Sequence, residues 1–156
     1  MNDLPAAAAP GLSCHAFLSK LPMAEVDSIR LRDAQRADVP ALARLHVAVF
    51  NETHGPGPTY ETRFRQWAEK FSRSEAFLFC LVLEVDSDNL VGFASGERYS
   101  HEDLPGYRGG LNKIYLLRAY QRRGLGRVLL CAAALRFLEQ GVDFHAPGLK
   151  PSPSGE

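Results

Sequence analysis

The stretch that decides the fold is Leu111-Asn112-Lys113-Ile114-Tyr115-Leu116-Leu117, running on into Arg118-Ala119-Tyr120-Gln121-Arg122-Arg123-Gly124-Leu125-Gly126-Arg127-Val128-Leu129-Leu130. Five of its first seven residues are apolar, with the β-formers Ile114 and Tyr115 among them, which predicts a strand. The helical spacing of Leu125, Val128, Leu129, Ala132 and Leu135 predicts a long helix over 124–140. A short loop joins them and opens the helix at glycines. The first turn of any helix leaves its N–H groups without intrahelical partners, and the helix dipole adds partial positive charge there. Gly124 and Gly126 carry no side chain to block an approach, and Arg122, Arg123 and Arg127 supply countercharge. Together these features describe an anion site suited to a pyrophosphate.

The same residues exclude other nucleotide motifs. A third glycine at Rossmann spacing is missing, and no Gly-Lys-Ser/Thr follows for a P-loop. The arginines are not interleaved with an aromatic platform, and 18 Lys plus Arg balance 18 Asp plus Glu to a formal net charge of zero. Neither observation suits a nucleic-acid surface.

Working outward, residues 28–32 alternate around Ile29 and Leu31 and predict a short strand. Asp38 reads as an N-cap, with Pro40 in the first turn of a helix over 38–51. A Gly/Pro loop, 53–59, precedes a second helix, 60–71, with Phe64, Trp67, Ala68 and Phe71 expected inward. Residues 77–85 and 90–99 predict a hairpin across the turn 86–89. The order is β-α-α-β-β-β-α, a mixed α/β sandwich.

The chain has 156 residues, 46% apolar and 23% charged, which suits one globular domain. The domain is expected over 28–141. Residues 1–27 read as a flexible Ala/Pro leader within which Met23 offers an alternative start, and 142–156 as a disordered or out-of-frame Pro/Ser/Gly tail. Val142-Asp143-Phe144-His145 is the one piece of that tail able to begin a further strand. No long uncharged apolar run and no secretory leader pattern are present, so a cytoplasmic protein without a membrane span is expected. Three cysteines, Cys14, Cys80 and Cys131, lack ligand or disulfide spacing, and no metal site is expected. Cys80 and Cys131 read as small buried hydrophobes rather than nucleophiles.

Gln121-Arg122-Arg123-Gly124-Leu125-Gly126, six residues after Tyr115, resembles the acetyl-CoA signature Q/R-x-x-G-x-G/A of the GNAT superfamily of N-acetyltransferases. The resemblance spans about residues 28–141 and implies the acyl-CoA N-acyltransferase fold, with the C-terminal part of that fold missing from this chain. It implies acetyl-CoA as cosubstrate. The pyrophosphate would lie on the amides of Arg122, Arg123, Gly124, Leu125, Gly126 and Arg127, beside Gln121. A bulge in the fourth strand would expose main-chain groups of Ile114, Tyr115 and Leu116 to the pantetheine arm. The reaction implied is direct acyl transfer to an amine of a small molecule or protein.

Two positions depart from the family pattern. Gly110 stands where relatives often carry a glutamate base, with Glu97, Glu102 and Asp103 as possible substitutes and each also readable as a surface carboxylate. His54 and His101 read as loop surface residues. No tyrosine follows Gly141 to protonate the leaving thiolate, so no catalytic residue is assigned and weak turnover is expected. The readings that remain are an N-acetyltransferase, a truncated remnant that binds CoA with little turnover, and a non-catalytic domain whose arginines meet acidic partners. The loops 51–60 and 100–109 are expected to line the acceptor site, and a homodimer is left open.

Overall fold

The computed structural model describes residues 29–145, apart from 87, 88, 100, 101, 104 and 107. The expected leader, His101, Cys14 and everything after His145 lie outside the described residues. Elements follow as β1 (Ile29–Asp33), a single 3-10 turn (Arg36–Asp38), α1 (Val39–His54), α2 (Tyr60–Arg73), β2 (Phe77–Val85) and β3 (Asn89–Arg98). Then come β4 (Gly109–Leu116), a second 3-10 turn (Arg118–Tyr120), α3 (Leu125–Glu139) and β5 (Phe144–His145). This is the expected order with one short strand added.

The sheet runs β1-β2-β3-β4-β5, antiparallel through β4, with β5 parallel to β4. Because β2 and β3 are covered on both faces, they read as continuous apolar runs rather than alternating ones. Phe79, Leu81, Leu83, Val91, Ala94 and Leu111 pack toward α3. Cys80, Val82, Phe93 and Tyr115 pack toward α1 and α2 with Leu42, Val49 and Trp67.

Regular structure is described past Gly141 as far as His145, within the stretch expected as tail. Gly141 takes a φ of +64°, a left-handed turn that sends the chain back along the sheet. Val142 is then buried, and its N–H donates to the Phe137 carbonyl (3.0 Å). Phe144 stacks on Phe137 with centroids 4.7 Å apart.

Two local expectations need correction. Asp38 does not cap α1 with its side chain. Its carboxylate instead takes bonds from Arg32 Nη1 (2.7 Å) and Nη2 (2.8 Å), and from the Gln35 N–H (2.7 Å). Charge-assisted, two-pronged pairing outcompetes a neutral cap bond, and it holds the Asp38 carboxyl below its usual range. On α2, Trp67 is buried and Ala68 and Phe71 pack partly buried against the same core as expected, but Phe64 is exposed and Arg63, one turn before Trp67, is buried instead.

Candidate functional site

The loop between β4 and α3 has the geometry that its glycines suggested. Gly124 sits at φ +83°, and no side chain caps α3. The first intrahelical bond is Val128 N–H to the Gly124 carbonyl (3.2 Å). The N–H groups of Leu125, Gly126 and Arg127 precede it and face out of the helix end. Arg122 is also left-handed, at φ +61°, which curls the loop tightly before the helix begins. The side chains of Arg122, Arg123 and Arg127 are exposed, and the Arg123 guanidinium lies 5.5 Å over the Tyr120 ring. The Leu125 side chain is fully buried, so only its amide is on offer. Gln121 plays a bracing part: its Nε2 donates to the Leu116 carbonyl at 2.9 Å and ties the loop to the end of β4. The preceding turn is held from α1, because the Arg118 N–H donates to Glu52 Oε2 and its guanidinium to the Glu52 carbonyl, both at 2.8 Å.

β4 carries a bulge. Ser95 opposes Lys113 and Gly96 opposes Leu111, which leaves Asn112 as an extra residue. Past the bulge, Leu117 N–H donates to the Val91 carbonyl (2.9 Å), and antiparallel alternation then turns the main chain of Tyr115 toward β3. Ile114 and Leu116 point theirs the other way, toward the edge. Of the three residues expected to offer main-chain groups there, Ile114 turns both of its own toward the edge, while the Leu116 carbonyl already accepts from Gln121 Nε2 and leaves its N–H facing out. Tyr115 is engaged with its partner Phe93, and its ring packs near His46, His54 and Phe93. On that outer edge β5 pairs only with Gly109 and Gly110. Among the described residues no strand pairs with the edge beyond them.

Gly110, where relatives often carry a glutamate base, lies in β4. Gly110 lies directly opposite Glu97. Cross-strand partners point to the same face, with Cβ atoms about 5 Å apart. A carboxylate therefore stands one strand over from the vacant position, on the face covered by α1 and α2. It is in contact with Lys70 Nζ from α2. Glu102 and Asp103 are exposed in the β3–β4 connection. His54 is exposed at the end of α1, against Phe50 and Tyr115. Cys80 is buried, and burial pushes its thiol pKa well up, so a thiolate there is disfavoured.

Sequence reasoning missed a cleft of about 430 Å³ between α1, α2 and β4. His46 and Trp67 form its inner wall, and Arg63, Lys70 and Lys113 line it. Trp67 Nε1 donates to His46 Nδ1 (3.1 Å), which fixes the ring proton on Nε2. The one signal in the sequence was a histidine, His46, on the apolar stripe of the first helix. Burial, then the charges of Arg63, Lys113 and Lys70, hold the His46 pKa down to about 3.

That shift carries a prediction. The unfolded chain titrates His46 near its ordinary value of 6.5. Between about pH 6.5 and 3 the unfolded state therefore binds more protons, and stability falls as pH falls through this window. Urea midpoints measured at about pH 7 and about pH 5 should drop toward acid. His46→Gln keeps an acceptor for Trp67 and should flatten that slope. An unchanged slope in the variant would assign the acid loss to other groups.

Residues 39–146 match the family model described as the acetyltransferase (GNAT) family, and the chain belongs to that family. The uncharacterized N-acetyltransferase YuaI of Bacillus subtilis (strain 168) is 29% identical over 120 residues, covering 74% of this chain and 68% of its own. Two solved structures share the fold. The aminoglycoside N-acetyltransferase AAC(6')-Iy in complex with CoA aligns with a TM-score of 0.62 at 16% identity, over 80% of this chain and 78% of that one. The PaiA N-acetyltransferase from Thermoplasma acidophilum in complex with coenzyme A gives 0.56 at 20%, over 74% and 75%. The chain is an N-acetyltransferase that draws on an acyl-CoA donor and acts on an amine. No helix among the described residues is long and apolar enough to cross a membrane.

Proposed function

We propose that this protein transfers the acetyl group of acetyl-CoA to an amine of a small molecule or protein. The observation that carries this reading is one juxtaposition. A helix end with free amides lies at the end of a bulged strand whose outer edge, beyond Gly110, has no paired strand among the described residues. A Cβ built on Gly126 would meet nothing within 4 Å, so the main chain there is open to a phosphate. The amides of Gly124, Leu125, Gly126 and Arg127 would hold the pyrophosphate, with Arg122, Arg123 and Arg127 as countercharge. Gln121 sets the angle between loop and strand. The outward main-chain groups of Ile114 and the N–H of Leu116 would pair with the pantetheine arm as an added strand would. When bound, acetyl-CoA supplies an activated thioester carbonyl. Glu97 takes the proton that the acceptor nitrogen must lose, directly or through one water, and Lys70 holds its carboxylate in place.

The test is Gly126→Asp. The new side chain has room, and an acid in the first turn of a helix favours the dipole, so the melting temperature should hold or rise. CoA affinity by calorimetry should fall by about 100-fold or more, because two like charges would meet in a partly buried site. Unchanged affinity would remove the pyrophosphate from this loop. A chain that binds CoA with little turnover is the second reading, favoured by glycine at position 110 and by the hold of Lys70 on Glu97. An amine panel with intact CoA binding separates the two.

A further inference from the structure

The cleft between α1, α2 and β4 has an electrostatic character that the reaction alone does not require. Arg63, Lys70, Arg73 and Lys113 line it against one carboxylate, the exposed Glu69. Lys70 is committed to Glu97. Arg63 is not committed to any acid. Its side chain is 7% exposed, lies 5.0 Å over the Phe50 ring and donates from Nη1 to Gln66 Oε1 at 3.1 Å. Its Nε is buried with no acceptor. Lys113 is half-buried on β4, next to the bulge, and among the described residues no carboxylate pairs with it or with Arg63. Cations taken out of water without a counterion are costly to hold. Burial pushes both down from their ordinary pKa values, and Arg63 adds to the effect on Lys113. An unsatisfied, convergent pair of this kind is completed by an anion.

Position narrows what that anion belongs to. Lys113 is on the same face of the sheet as Glu97 and lies across the bulge from Gly110. The loop at Arg122–Arg127 lies beyond the other end of β4, so the donor's pyrophosphate is accounted for elsewhere. A bare ammonium entering this cleft would be repelled by three buried or half-buried cations. An amine that carries its own negative group would be drawn in by it. We infer that the cleft recognises a carboxylate on the acceptor, held by Arg63 and Lys113, so that the acceptor is an amino acid or peptide-like amine rather than a simple alkylamine or polyamine. This rests on the acetyl-transfer reading above and adds the substrate class to it.

The experiment uses the purified full chain, acetyl-CoA, and amino acids paired with their own carboxamides. The carboxylate member of a pair should show a kcat/KM about 10- to 100-fold above its amide, the range of one or two charge-assisted hydrogen bonds. That ratio should collapse toward one in Lys113→Gln. Arg63→Gln should do the same, and Lys113→Gln decides the matter if burial at Arg63 prevents folding. Equal turnover of both members, or a ratio that survives Lys113→Gln, overturns the inference. If no amine is turned over, calorimetry of the same pairs against the CoA-saturated chain decides. Carboxylate-selective binding lost in Lys113→Gln supports the subsite, and absence of selectivity rejects it. Acetate and inorganic phosphate binding as tightly as the amino acids would mark a general anion cleft and also overturn it. CoA binding is measured separately, so failure of the donor site is distinguishable from failure of the acceptor subsite.

Discussion

Phe137→Ala is expected to destabilise the domain by about 3–5 kcal/mol, the usual cost of emptying a buried aromatic position. Phe137 is fully buried. It meets Phe79 edge-on at 4.9 Å and Phe144 face-on at 4.7 Å. Two glycines in the sheet make room for it. A Cβ on Gly96 would sit 2.7 Å from the Phe137 ring, and one on Gly109 2.8 Å from it. The surrounding strands cannot close over the hole, since two strands and the β5 turn converge on this ring. The loss is large beside a whole-domain stability of about 5–15 kcal/mol. In urea the midpoint should fall with the m-value unchanged, and Phe137→Leu should recover most of the loss. Phe144 stacks on this ring from β5, which pairs with β4 at Gly109 and Gly110. A loss below about 1 kcal/mol would show that the packing there is looser than these contacts require.

What the sequence made legible was local. The strand–glycine–helix passage at Tyr115–Leu129 is a contiguous signal, and the apolar runs of β2 and β3 need no partner to be recognised. The hairpin, the two helices and the free amides at Gly124 follow from such signals. What stayed hidden depends on residues far apart in the chain. Asp38 looked like a cap because its local pattern is that of a cap, yet Arg32 claims it. Nothing local in the sequence marks Arg63 as inward-facing. The Phe50 ring and an open cleft let it turn inward while Phe64 stays in solvent. The partnership of Glu97 with position 110 is a matter of strand register. Counting along β4 cannot reveal that register, because the bulge at Asn112 shifts it by one residue.

Glu97→Gln is expected to lower kcat by about 10²–10⁴-fold with CoA affinity unchanged, the usual contribution of a positioned proton acceptor. The argument is geometric. Transfer to an amine fails while the nitrogen holds its extra proton, so some group beside β4 must take it. A glutamate at position 110 would point to the face that α1 and α2 cover. Glu97 points to that same face from the neighbouring strand, about 5 Å away. With glycine at 110, that position itself puts no side chain beside the Glu97 carboxylate. Lys70 contacts the carboxylate and fixes its position. Burial and the neighbouring Lys113 charge bring the Lys70 pKa itself down to about 8, which makes it the rival base. The two are separable. Glu97→Asp retains a carboxylate and should recover part of the lost rate, whereas Lys70→Met should cost less than Glu97→Gln if lysine only positions the acid. The reverse order would move the proton acceptor to Lys70. A Glu97→Gln enzyme within about threefold of wild type would leave the proton to water and remove Glu97 from the reaction.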